Sequence, residues 1–83
     1  MKAAPLGHEF KFSSGQTVSS LQQLLHVIKH ISETEFHFHL NKEKNDYSFW
    51  VLHALREYNL ADYLDHCTTK HQVIKEIKKF LHK

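Results

Sequence analysis

Cysteine, glycine, proline and arginine are all scarce in this chain, and each shortage removes a class of protein. Cys67 is the only cysteine among 83 residues, so no intrachain disulfide can form, and a reducing compartment is the simple expectation. Structural zinc wants four ligands, typically from paired Cys or His, and only one Cys exists. Two glycines and one proline are too few for a sandwich or barrel full of tight turns. Gly15 stands alone, so there is no Gly-rich phosphate loop. Arg56 is the only arginine, and base-edge readout of DNA usually relies on arginine. No apolar run is long enough to span a bilayer, and MKAAPLGHEF lacks the apolar centre of a signal peptide. The expectation is a cytoplasmic protein without a membrane partner.

Aromatic residues and histidines, by contrast, are plentiful. Six Phe, three Tyr and Trp50 supply a compact core in a chain just large enough for one domain, where folding alone is marginal. A histidine side chain ordinarily titrates near pH 6.5, so with nine of them modest acidification is expected to make the protein strongly basic. The net charge of +2 is unevenly spread. Residues 1–41 carry three Lys and three Glu; residues 42–67 carry three basic and five acidic groups; residues 68–83 carry five Lys and one Glu. The basic character therefore belongs to the last helix.

Along the chain, residues 1–7 are expected as a flexible leader and residues 8–83 as a single small helical domain. HEFKF alternates and puts Phe10 and Phe12 on one side of an extended segment. Ser13-Ser14-Gly15-Gln16 has turn chemistry, with Gln16 to Val18 returning as a hairpin. Ser19 with Gln22, or Ser20 with Gln23, fits a capping box ahead of Leu21, Leu24, Leu25, Ile28 and Ile31 at helical spacing. Ser32 with Glu35 is a second box, opening a helix from about Glu33 to Asn41 with Phe36, His39 and Leu40 on one face. Asn45 or Asp46 caps the next helix, whose stripe of Tyr47, Trp50, Val51, Ala54, Leu55 and Tyr58 is widened by Phe49 and Leu52. Asn59 caps a short helix with Leu60, Tyr63 and Leu64. Thr69 with Gln72 opens the last helix, which buries Val73, Ile74, Ile77, Phe80 and Leu81. The predicted fold is mainly α, a compact bundle of about five helices with a short N-terminal extended segment or hairpin.

The pattern Phe36-x-x-His39, then Asn45-Asp46-Tyr47-x-x-Trp50, preceded by Phe10, Phe12, Gly15, Val18, Leu21 and Leu24 and followed by Leu60-Ala61, resembles a family of small prokaryotic domains of uncharacterised function. These occur alone or appended to larger archaeal and bacterial proteins. The resemblance covers roughly residues 10–81. It departs at Tyr47, where Phe is more usual, and at Tyr58-Asn59, where an acidic loop is common. It implies a small helical domain and no reaction.

Three chemistries are open to the side chains. His26 and His30 lie four apart on a helix, but positions 27–29 read Val-Ile-Lys, without the glutamate of H-E-x-x-H, so surface histidines are expected and no metal. Cys67 with His66 and Asp62 fails as a nucleophilic set, because adjacent helix residues point about 100° apart. Cys67 follows Leu64 on the apolar side, where a thiol behaves as a small hydrophobe. His39 faces inward and needs partners for its ring nitrogens. The helix start at Asn45 and Asp46 is near, and Trp50 is expected to cover the contact. Phe36, His39, Asn45, Asp46, Tyr47 and Trp50 thus form a structural signature and not a catalytic set.

The last helix offers candidate partner or phosphate contacts at His71, Lys75, Lys78, Lys79 and His82. The function expected is a non-enzymatic accessory or protein-interaction domain with no cofactor. The alternative is a weak, sequence-nonspecific nucleic-acid binder using the final basic helix. A monomer or weak homodimer is expected, since this many aromatics can leave some exposed.

Overall fold

The computed structural model describes residues 3–82; Met1 and Lys2 of the expected leader, and Lys83 of the expected domain, lie outside the described residues. Two short strands come first, β1 (Phe10–Lys11) and β2 (Thr17–Val18), then α1 (Leu21–His30), α2 (Glu33–His39), α3 (Asp46–Trp50), α4 (Tyr58–Asp65) and α5 (Lys70–Leu81). The chain is mainly α, and its described residues fill 29 × 25 × 23 Å. No described helix is long and apolar enough to cross a membrane.

The hairpin forms as its alternation predicts. Phe10 pairs with Val18 and Lys11 with Thr17, antiparallel. The Phe12 N–H donates to Gln16 O at 2.8 Å, and Gly15 takes φ +96°, which a residue without Cβ adopts at no steric cost. Phe10 and Phe12 both turn into the core. Within the leader, the Ala4 N–H donates to Ser19 O and Ala3 bridges Ser20, so residues 3 and 4 are tied to the end of the hairpin.

Three helix starts follow the capping logic in three ways. At α5, Thr69 and Gln72 exchange both bonds of a capping box. At α1, Ser20 is the N-cap and accepts from the Gln23 N–H, but the Gln23 amide reaches past it to the Ser19 N–H at 2.8 Å. At α2, Ser32 accepts from the Glu35 N–H at 3.1 Å, while the Glu35 side chain leaves the helix for Ser13. Each cap satisfies an otherwise orphaned donor and contributes about 1 kcal/mol.

The helix expected to run on from Asn45 through Tyr58 is broken. After Trp50 the backbone widens into a π-helical turn, Val51–Leu55. Arg56 then adopts the left-handed conformation at φ 56°, a position costing a side-chain-bearing residue about 1 kcal/mol. The Glu57 N–H closes back onto Val51 O at 3.2 Å, and α4 restarts at Tyr58 from Glu57, not from Asn59. The wider turn and the reversal rotate the downstream residues off the apolar stripe. Tyr58, on the expected stripe, is consequently exposed; Phe49 and Leu52, which were expected to widen that stripe, are exposed as well, and so is Tyr63. α2 is also shorter than expected: Leu40 leaves the helix and bridges Asn45 across the turn.

α1 packs on α5, α3 on α4, and α4 on α5. The core joins both hairpin phenylalanines to Leu24, Ile28, Phe36, Tyr47, Val51, Leu60, Leu64, Val73 and Ile77. Burying each such side chain stabilises the fold by about 1.5–3 kcal/mol. Val27, which the α1 stripe omitted, is buried as well, whereas Ile31, Ile74, Phe80 and Leu81 are only partly covered. Lys70 donates its ammonium to the Ile31 carbonyl at the end of α1.

Candidate functional site

The block from Phe36 to Trp50 sits where α2, α3 and the hairpin meet. Phe36, His39 and Leu40 all point inward from α2 and its end. Tyr47, in the first turn of α3, slides its ring between Phe10 and Phe36. It lies nearly parallel to both, at 5.2 and 5.0 Å between centroids. Its hydroxyl donates to the Phe36 carbonyl at 3.0 Å. Burial pushes the Tyr47 hydroxyl pKa far above its ordinary value, so the group stays a donor. The tyrosine thus adds a polar tie to a position that packs as an aromatic.

His39 is nearly closed off from solvent, at 5% exposure. Its Nδ1 lies 3.0 Å from Asp46 Oδ2. An ionised carboxylate only accepts, so Nδ1–H is the donor. Nε2 faces Glu35 Oε2 at 3.3 Å, but off the line of a hydrogen bond, and it has no bonded partner among the described residues. Glu35 in turn accepts from both the N–H and the hydroxyl of Ser13. The Ser13 hydroxyl, then the Ser13 N–H, hold the Glu35 pKa below its ordinary value. Asp46 also pairs with Lys44 at 3.0 Å. A polar chain therefore runs from the hairpin turn through α2 to the start of α3.

The rings against His39 belong to Phe10, Phe12, Phe38 and Tyr47. Trp50 was expected to cover the His39–Asp46 contact; instead it turns toward the N-terminal segment. Its Nε1–H donates to the His8 carbonyl at 2.8 Å and its ring meets Phe10 edge-on. Asn45 works in two directions: Oδ1 accepts from the Ser48 N–H at 3.1 Å, and Nδ2 donates to the Leu64 carbonyl at 2.8 Å, near the end of α4. The Leu64 and Phe36 carbonyls both come from terminal helical turns, where backbone acceptors run out of ladder donors.

Four rings pack against His39 and leave it nearly closed off from solvent. His37, two residues earlier, is exposed and contacts the Leu40 carbonyl at 3.1 Å. His26 and His30 lie ring to ring on the outside of α1, 4.8 Å apart. Among the described residues no three His, Cys, Asp or Glu groups gather as a metal site. Cys67 is buried, with Sγ donating to the Tyr63 carbonyl at 3.4 Å, and burial raises its thiol pKa. His66 caps the end of α4; its ring contacts the Asp62 carbonyl at 2.8 Å, which raises its pKa.

The surface carries two distinct faces. On α5, His71, Lys75, Lys78, Lys79 and His82 are all exposed, with Lys79 3.9 Å from Glu76. Between α3 and α4 lies an open cleft of about 540 Å³. Phe49 and Leu52 line one side; Tyr58, Asp62 and Asp65 line the other. Phe49 is 64% exposed and Tyr58 61%. Composition signalled exposed aromatics without saying which; for Tyr58 the break at residues 51–56 decides it. No known protein family matches the chain, and neither a curated protein nor a solved structure does so.

Proposed function

We propose that this chain is a non-enzymatic accessory domain that acts through protein contacts. The observation that carries the reading is the exposure of Phe49, Leu52 and Tyr58 on the walls of one cleft. Phe36, Tyr47 and Trp50 are buried in the core, whereas Phe38 and the cleft residues are exposed. Grouped apolar side chains with a polar rim mark interaction surfaces in small soluble domains. The most polar cluster in the chain, around His39, is shut by phenylalanines and supports a joint between elements in preference to a reaction centre. The resemblance of residues 10–81 to small prokaryotic domains of uncharacterised function, and a cytoplasmic setting, belong to the same reading.

The test is affinity capture from the source cells with wild type and with Phe49→Ala/Tyr58→Ala. The reading expects a protein that the wild type retains, the double variant loses, and purified wild type binds again. Retention unchanged in the double variant would move the contact off this cleft.

A second reading has its own support. Five basic side chains lie exposed on α5, which suits weak, sequence-nonspecific binding of nucleic acid. It expects a mobility shift that fades steeply with salt and weakens on charge reversal at Lys75, Lys78 and Lys79. Absence of a shift at low salt rejects it.

A further inference from the structure

The rim of the α3–α4 cleft has a charge sign. Asp46, Asp62 and Asp65 all line it, against one cation, Lys44, among the described lining residues. Lys44 is held by Asp46 at 3.0 Å and lies over the Phe38 ring. Asp62 and Asp65 are exposed. They follow Tyr58 by four and seven residues, so one helical face presents a phenol ring and then two carboxylates. Asp65 also accepts from the Ser48 hydroxyl at 3.3 Å, which orients one of its oxygens. Phe49 and Leu52 close the opposite wall.

We propose that the cleft takes an arginine-bearing segment of a partner protein. The inference rests on the protein-interaction reading and deepens it by naming the chemistry of the occupant. A guanidinium is planar and weakly hydrated; it stacks on an aromatic face and offers a paired fork of donors to a carboxylate. Tyr58 and Phe49 supply the rings, Asp62 and Asp65 the carboxylates, and Leu52 a floor for an apolar neighbour on the segment. A cation over an exposed ring and an exposed ion pair are each modest alone, so affinity comes from their coincidence in one cleft. The charge pattern of the chain agrees: residues 42–67, which contain the cleft, are its one acidic region. An acidic partner segment or a polyanion meets like charge here.

The experiment uses a fluorescein-labelled peptide alternating arginine and leucine, and a control with glutamine in place of arginine. Binding is read by anisotropy and by amide chemical-shift mapping on the whole chain. The arginine peptide is expected to bind, to weaken with added salt, and to shift amides around Phe49, Leu52, Tyr58, Asp62 and Asp65. Asp62→Asn/Asp65→Asn, which keeps an acceptor for Ser48, is expected to weaken it about tenfold. Phe49→Ala is expected to do the same. All three positions are exposed, and an unchanged circular dichroism spectrum confirms that the variants fold. Equal binding of the glutamine peptide, insensitive to the Asn variants, overturns the arginine inference while the interaction face stands. Shifts mapping elsewhere, or no binding of either peptide at low salt, also overturn it. The capture experiment then judges the broader reading by itself.

Discussion

The Tyr47 ring lies against the Phe36 ring at 5.0 Å, nearly parallel, and its hydroxyl donates to the carbonyl of that same residue at 3.0 Å. One side chain therefore binds α2 twice, by its face and by its edge. Tyr47→Phe keeps the stack and removes the bond, and is expected to cost about 1 kcal/mol. Tyr47→Ala also opens the core between two hairpin and helix rings, and is expected to cost about 3–5 kcal/mol. Urea titration checks both, with the midpoint moving and the slope unchanged. A Phe variant as stable as wild type would leave the hydroxyl without a role.

Asn45 ties the start of α3 to the last turns of α4. Asn45→Asp retains the acceptor for the Ser48 N–H but loses the donor to Leu64, whereas Asn45→Ala loses both. The expected order of stability is wild type, then Asp, then Ala, with Ala about 2 kcal/mol below wild type. Asp placed level with wild type would mean the Leu64 bond contributes nothing.

Acid should loosen the hairpin turn through Glu35. Its folded pKa lies below the ordinary 4.5 because Ser13 donates to it twice. With the folded value below the unfolded one, this contribution is complete above the ordinary value and is lost as pH falls through the folded value. Melting temperature is expected to drop further between about pH 5 and pH 3 in wild type than in Ser13→Ala. Parallel pH profiles would contradict the coupling.

Cys67 is expected to resist alkylation in the folded protein. Its thiol is buried and its pKa raised by that burial, so little thiolate forms near neutral pH. Iodoacetamide should label it only after denaturant is added. Rapid labelling of the native chain would argue for a reactive thiol.

The hairpin and the starts of α1, α2, α3 and α5 were legible because their signals are local, whereas the start of α4 was not. Phe10 and Phe12 alternate, Gly15 supplies the positive φ, and Thr69 with Gln72 closes a box that involves four consecutive residues. Tertiary contacts redirected two other readings. Glu35 has the spacing of a capping partner, yet the hairpin turn brings Ser13 within reach, and a carboxylate accepting two donors there outcompetes the local return. Trp50 has the spacing of a lid over His39, but its indole N–H needs an acceptor and finds the His8 carbonyl 42 residues away.

The cleft was the least legible feature. A periodicity template advances a constant angle per residue; Tyr58 lies on its stripe, and Phe49 and Leu52 flank it. The π-helical turn at Val51–Leu55 and the left-handed Arg56 change that angle. Neither Arg nor the preceding Val-Leu-His-Ala-Leu announces such a break, as glycine or proline would have done. Tyr58 thus left the stripe and joined Phe49 and Leu52, which had been expected only to widen it, on the candidate contact surface.

The central claim is that the block from Phe36 to Trp50 joins elements of the fold and that function lies on the outer face. Thermal unfolding of His39→Ala beside His39→Asn tests it most directly, because Asn can present a donor near the place of Nδ1, the atom that meets Asp46. The account predicts that Ala lowers the melting temperature by on the order of 10 °C, as expected for about 2 kcal/mol in a domain of this size, and that Asn recovers part of the loss. Melting temperatures unchanged in both variants would contradict it.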